Sequence, residues 1–141
     1  MTNPIVFKKK IKKFRKTIKV SGDKSLSVRW VLLSSLATGI SKSKNLLMSE
    51  DVMAAINAVR KLGIRVTLSK HECKVYGKGI NGYKYKKDLI INAQNSGTLG
   101  RLILGFLINS NHKIKLIGDK SLSRRDFKRI AEHLSKFGAK F

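Results

Sequence analysis

DVMAAINAVRKLGIRV (residues 51–66) and DFKRIAEHLSKFGAKF (residues 126–141) are two versions of one segment. Each opens on an aspartate, Asp51 or Asp126, and each halts at a glycine, Gly63 or Gly138. In the first, Val52, Ala55, Ile56, Val59 and Leu62 fall on one helix face; in the second, Phe127, Ile130, Ala131, Leu134 and Phe137 do so. Ser49 reads as an N-cap for the first, with Glu50 and Asp51 well placed against the dipole of its opening turn. A β-rich run follows each glycine, IRV or AKF. The period is about 75 residues, too long for common solenoids, although the logic of similar stacked units carries over.

Around this pair the rest of the chain takes its place. Residues 17–20, TIKV, alternate and read as a strand. LSVRWVLLSSLATG (residues 26–39) reads as a helix with Leu26, Trp30, Leu33, Leu36 and Ala37 as its apolar set and Gly39 as its stop. SKSKNL (residues 41–46) is expected to form a short strand. IRVTL and CKVYG read as two more, joined by a turn near residues 70–72. The order then begins again: strand DLIIN, polar loop AQNSG, helix TLGRLILGFLIN, strand KIKLIG, loop, helix, and a strand begun at AKF. The expected class is α/β (α+β), built from repeated units at about residues 17–78 and 88–141 after a basic segment 1–16. A chain that ends in mid-strand reads as cut.

The hexapeptide GDKSLS occurs at residues 22–27 and again at residues 118–123. In the repeat register the partner of the first copy is NSGTLGR, with Arg29 matched to Arg101. The two hexapeptides therefore fall in different loops, and their identity is expected to be one of sequence alone.

Composition narrows the classes. A chain of 141 residues with 42% hydrophobic residues suits one folded domain. Cys73 is alone, so no internal disulfide forms, which fits a reducing compartment and a cytoplasmic location. No apolar run approaches the roughly 18 residues that span a bilayer, and no secretory leader is read at the N-terminus. Lys and Arg number 31 against 8 Asp and Glu, a formal net charge of +23. Such a field draws nucleic acid, anionic lipid or phosphorylated small molecules. The plainer reading is lysines scattered over a solvated surface, with one denser run at residues 8–19.

Three loops feed helix N-termini, where free N–H groups and the helix dipole favour anions. In GDKSLSVR, Gly22 permits a tight turn, Ser25 can cap, and Lys24 and Arg29 can bring two cations toward one spot; a capped helix with two surface cations is the alternative. In NSGTLGR, Gly97 allows close approach, Ser96 and Thr98 offer hydroxyls, and Arg101 stands one turn inside. In GDKSLSRRDF, Arg124 and Arg125 precede a helix, to bind an anion or to be solvated. His71 and Cys73 lack a second ligand pair and so make no metal set. His112 and His133 have no nucleophile partner. GINGYKYKK interleaves Tyr83 and Tyr85 with lysines, a mild nucleic-acid signal against the plainer reading of a solvated loop.

Read together, residues 22–39, 45–66, 95–107 and 118–141 resemble the N-terminal part of the 5-enolpyruvylshikimate-3-phosphate synthase family, in order and with its spacing. The sister family acting on UDP-N-acetylglucosamine has Lys-Asn where Lys24 and Ser25 stand. The resemblance implies a fold of repeated βαβαββ units, of which about two of the family's six are here. It implies transfer of enolpyruvyl from phosphoenolpyruvate to the 5-hydroxyl of shikimate 3-phosphate, a step of the shikimate pathway toward chorismate and the aromatic amino acids, with no cofactor and no metal. Lys24, Ser25 and Arg29 would contact shikimate 3-phosphate. Lys24, Asn95, Gly97 and Arg125 would contact phosphoenolpyruvate, with Thr98 and Arg101 completing that loop. Where the family has Pro-Gly-Ser, this chain has Ser21-Gly22-Asp23, which sets a negative charge beside the proposed phosphate site. Where the family has proline after the residue matching Arg125, Asp126 stands and can cap the helix. No catalytic acid or base is identified in the chain, so it is expected to be inactive alone and to need the remainder of the enzyme as its partner. A small basic nucleic-acid-binding protein, or an assembly piece with exposed apolar surface, are the competing readings.

Overall fold

A computed structural model of the chain describes residue 6 and residues 8–10, 13–70 and 72–141. The elements run α1 (Lys24–Leu36), β1 (Thr38–Ser43), α2 (Glu50–Lys61), β2 (Arg65–Leu68), β3 (Cys73–Lys78), β4 (Leu89–Asn92), α3 (Gly97–Phe106), β5 (Ile114–Ile117), α4 (Lys120–Ser123) and α5 (Lys128–Ser135). β3 lies between β1 and β2 in an antiparallel sheet, with Tyr76 opposite both Ile40 and Arg65. β4 and β5 form a parallel pair, Leu89 opposite Ile114. The architecture is mixed α/β, as the alternating pattern implied.

Helix α2 follows its sequence closely. Val52, Ala55, Ile56, Val59 and Leu62 are all buried. Glu50 and Asp51 occupy the first turn, Arg60 and Lys61 the last, so both ends complement the dipole. Gly63 sits just past the C-cap at φ 85°, the left-handed conformation that ends helices without Cβ strain. Ser49 is the N-cap residue, but its Oγ makes no capping bond; it is buried and without a partner among the described residues.

Helix α1 buries a different face from the expected one. Val28, Val31, Leu32 and Ser35 have no exposed surface, and Ser27 and Ser34 almost none. Leu26 and Leu33 are 64% and 61% exposed, and Trp30 is half-buried. Both faces carry leucines or valines, so periodicity does not separate them. The buried serines decide it: small side chains let strand β3 come close. At Gly77, next to the last residue of β3, an added Cβ would collide with the carbonyl oxygens of Ser34 and Ala37. The α1–sheet contact therefore selects the serine-bearing face.

Other boundaries moved for similar reasons. The helix closes at Leu36 with Ala37 as C-cap, so Gly39 lies inside β1, and that strand begins earlier than SKSKNL implied. Residues 17–20 form no strand, and Ile18 and Val20 are exposed. Residues 139–141 form none either. Strands need ladder partners for their N–H and C=O groups, and neither run has one among the described residues. Helix α5 forms where expected, yet none of its residues is buried and Phe137 is 79% exposed. Gly138 follows it at φ 93°.

The two faces of α1 should separate in a stability experiment. Leu32→Ala is expected to cost about 2–5 kcal/mol, and Leu33→Ala within about 0.5 kcal/mol of zero, read from urea midpoints. Equal losses would mean that Leu33 is packed and that the face is wrongly assigned.

Candidate anion site at the start of α3

Helix α3 begins in a loop pinned on two sides. Ser96, fully buried, is its N-cap, and its Oγ accepts from the Leu99 N–H at 3.3 Å. The Ala93 N–H donates to the Ile117 carbonyl at 2.8 Å. The Asp119 N–H donates to the Gln94 carbonyl at 2.9 Å. The second GDKSLS copy is thus fastened to the loop that opens α3. It then forms α4, capped by Asp119, whose Oδ1 accepts from the Leu122 N–H at 2.6 Å. Leu122 buries itself in the core, and the chain emerges at Arg124 and Arg125.

That route delivers Arg125 to the start of α3. Its Nη2 donates to Asn95 Oδ1 at 2.7 Å. Arg101 reaches the same place from one turn inside the helix. A Cβ built on Gly97 would stand 2.6 Å from Arg125 Nη1 and 3.0 Å from Arg101 Nη1. The Arg101 guanidinium also lies 5.7 Å from the ring centre of Phe127, a cation–π contact. Neither guanidinium is ion-paired with an acid among the described residues. Two guanidinium groups without an acid partner, set beside a helix N-terminus, have the charge and donor geometry to receive a carboxylate or phosphate. Asn95, Gly97, Arg101 and Arg125 are therefore brought together, and Thr98, half-buried, stands in the same first turn.

The first loop is arranged differently. Asp23, not Ser25, caps α1: its Oδ1 accepts from the Leu26 N–H at 2.7 Å. Both hexapeptides therefore make the same local turn, an aspartate capping the residue three further on. The expectation that their identity was one of sequence alone is corrected at this local level. Lys24 Nζ lies 3.2 Å from Asp51 Oδ2, an ion pair between the starts of α1 and α2. Ser25 is half-buried in the first turn, and Arg29 is exposed without a partner among the described residues. Glu50 and Asp51 are helix-start charges, as read.

Other candidates recede. The Tyr–Lys loop is not simply solvated. Tyr83 and Ser35 share a hydrogen bond at 2.6 Å, and Tyr85 donates to Ser110 Oγ at 2.6 Å. Both rings are half-buried and pack on the core, and burial pushes the Tyr83 hydroxyl above its ordinary pKa. They are not free platforms for stacked bases. Cys73 is buried, which raises its thiol pKa and blunts its reactivity. His71 lies outside the described residues, as do parts of the basic run 8–19. No cluster of three or more metal-ligating side chains occurs among the described residues, nor does a helix long and apolar enough to cross a membrane. A cleft of about 630 Å³ between α2 and the end of β4 includes Asn92 and Gln94 but neither Asn95 nor Arg125.

Sequence reasoning missed three holders: Asp51 on Lys24, Asn95 on Arg125, and Asp23 as a cap. The last was legible, since Asp leads the N-cap preferences and stands just before the helical run. The others join residues 27 and 30 positions apart, beyond any local pattern.

Gly97→Ala tests the crowding. The added methyl meets the flexible ends of two arginines, not backbone, so stability is expected to change by less than about 1 kcal/mol. Affinity for inorganic phosphate, followed by calorimetry, is expected to fall roughly tenfold as the guanidinium groups are displaced. Unchanged affinity would place anion binding elsewhere.

The family model described as EPSP synthase (3-phosphoshikimate 1-carboxyvinyltransferase) matches residues 8–141. The 3-phosphoshikimate 1-carboxyvinyltransferase of Sulfurihydrogenibium sp. is 45% identical over 132 residues, covering 94% of this chain and 30% of that protein. That of Thermoanaerobacter sp. is 41% identical over 132 residues, covering 93% and 31%. The solved EPSP synthase from Acinetobacter baumannii superposes with a TM-score of 0.80 at 34% identity, covering 87% of this chain and 28% of that one. The chain spans about 30% of the length of these curated relatives.

Proposed function

The chain belongs to the EPSP synthase family, and on that premise we propose that it forms one wall of an enolpyruvyl transferase site, binding shikimate 3-phosphate and phosphoenolpyruvate. The convergence of Arg125 and Arg101 on Gly97, with Arg125 held by Asn95, carries this reading. Both substrates are polyanions. A site built from helix N-termini, guanidinium groups and an ammonium matches their charge.

The roles divide between the two loops. Lys24, Ser25 and Arg29 take shikimate 3-phosphate. Asn95, Gly97 and Arg125 take phosphoenolpyruvate, with Thr98 and Arg101 closing that loop and Lys24 reaching both ligands. The reaction moves enolpyruvyl to the 5-hydroxyl of shikimate 3-phosphate and releases phosphate. It needs a group that moves a proton, and none of the residues brought together at the start of α3 is one: arginines stay protonated, and asparagine and glycine do not titrate, while Lys24 is assigned to the charge of the ligands. The proton-transfer groups are assigned to the remainder of the enzyme, and this chain to binding and charge stabilisation in the cytoplasm. The half-buried apolar residues of α5, the exposed Phe137 that follows it and the exposed Leu26 and Leu33 are consistent with a surface that the remainder covers. The proposed units remain residues 17–78 and 88–141, after the segment 1–16.

Calorimetric titration of the chain with shikimate 3-phosphate, at low and moderate salt, tests this. Saturable binding that survives moderate salt and is lost in Arg29→Ala is the expected result. Folded protein, verified by circular dichroism, that binds no better than Arg29→Ala would overturn the assignment of Arg29 and its loop.

A further inference from the structure

The two halves of the anion site hold their cations in unlike ways. Arg125 is held by Asn95, a neutral amide that fixes the guanidinium and leaves its charge whole. Lys24 is held by Asp51, a carboxylate that offsets its charge. The placement is built into the fold. Asp51 stands in the first turn of α2, where the dipole favours its negative charge, and its side chain is only 18% exposed against 54% for Lys24. The start of α1 is clamped to the loop before α2 by the Leu47 N–H donating to Ser27 Oγ at 3.1 Å and by Asn45 Nδ2 donating to the Val20 carbonyl at 3.3 Å. Asp23, the other acid beside Lys24, has its carboxylate on the Leu26 N–H.

From this we propose that Asp51 is a positioning residue and built-in competitor for Lys24. It parks the ammonium at the mouth of the loop when no ligand is bound. A ligand phosphate must take Lys24 from it. The half-site then answers to groups of high negative charge, phosphate dianions above all, and discriminates against weaker anions that cannot displace a carboxylate. The inference rests on the reading that Lys24 meets a ligand phosphate.

A double-mutant cycle with inorganic phosphate as probe tests it, using the wild-type chain, Asp51→Asn, Lys24→Ala and the double variant, each checked for its fold by circular dichroism. Asp51→Asn is expected to bind phosphate roughly three- to tenfold more tightly, the size of one unit charge a few ångströms away in a watery site. The gain is expected to vanish in the Lys24→Ala background, and Asp51→Glu is expected to retain wild-type affinity. A merely structural role for Asp51 would lower affinity or leave it unchanged, and either result overturns the proposal. A gain that persists without Lys24 also overturns it, since it would reflect general loss of negative charge. If Lys24→Ala binds phosphate as well as the wild type does, the site reading itself fails, and the proposal with it.

Discussion

Val28, Val31 and Leu32 of α1 share one buried core with Val52, Ala55, Ile56 and Val59 of α2, and each of the valine, leucine and isoleucine side chains contributes about 1.5–3 kcal/mol by leaving water. That seam fixes α1 against α2, and nearly every other placement follows from it. α1 also lies against β3 and α3, and α2 against β2, β4 and α3. The core thus joins the antiparallel sheet to the parallel pair, and with it the loops that carry the cations. The Lys24–Asp51 pair spans the start of the same two helices.

The site depends on a second constraint, the pinning of the loop before α3 to the segment after β5. Hydrogen bonds from Ala93 and Asp119 join residues far apart in the chain. Asp119 serves this junction with its N–H and caps α4 with its carboxylate. Leu122 anchors the short helix in the core, and Arg125 is thereby aimed at Asn95 and Gly97. The convergence of Arg125 and Arg101 on Gly97 is thus a product of packing, with the charged residues at the ends of rigid supports.

The sequence made some of this legible and hid the rest for identifiable reasons. Helix α2 was readable because its apolar stripe, terminal charges and closing Gly63 all agree. The burial of α1 was not, because leucines and valines occupy both faces and the deciding contact is with Gly77, 40 or more positions away in the chain. Residues 17–20 and 139–141 have strand-like composition, but composition does not supply a ladder partner. At the site, the cations stood out as residues at helix starts. Their holders, Asp51 and Asn95, are fixed only by tertiary structure. Reading both hexapeptides as different in role was right for their positions in the fold and wrong for their local turn, because an Asp cap acts the same way wherever it lies.

We propose that anions are received at the N-terminus of α3 and by the cations around it, not by the lysine-rich surface at large. Backbone and arginine side-chain resonances, followed by NMR as phosphate is added, report this residue by residue. Saturating shifts are expected at Gly97, Thr98 and Leu99 and at the Arg101 and Arg125 side chains, with smaller ones at the start of α1. Small, unsaturated shifts spread over the exposed lysines, with none at Gly97, would contradict it.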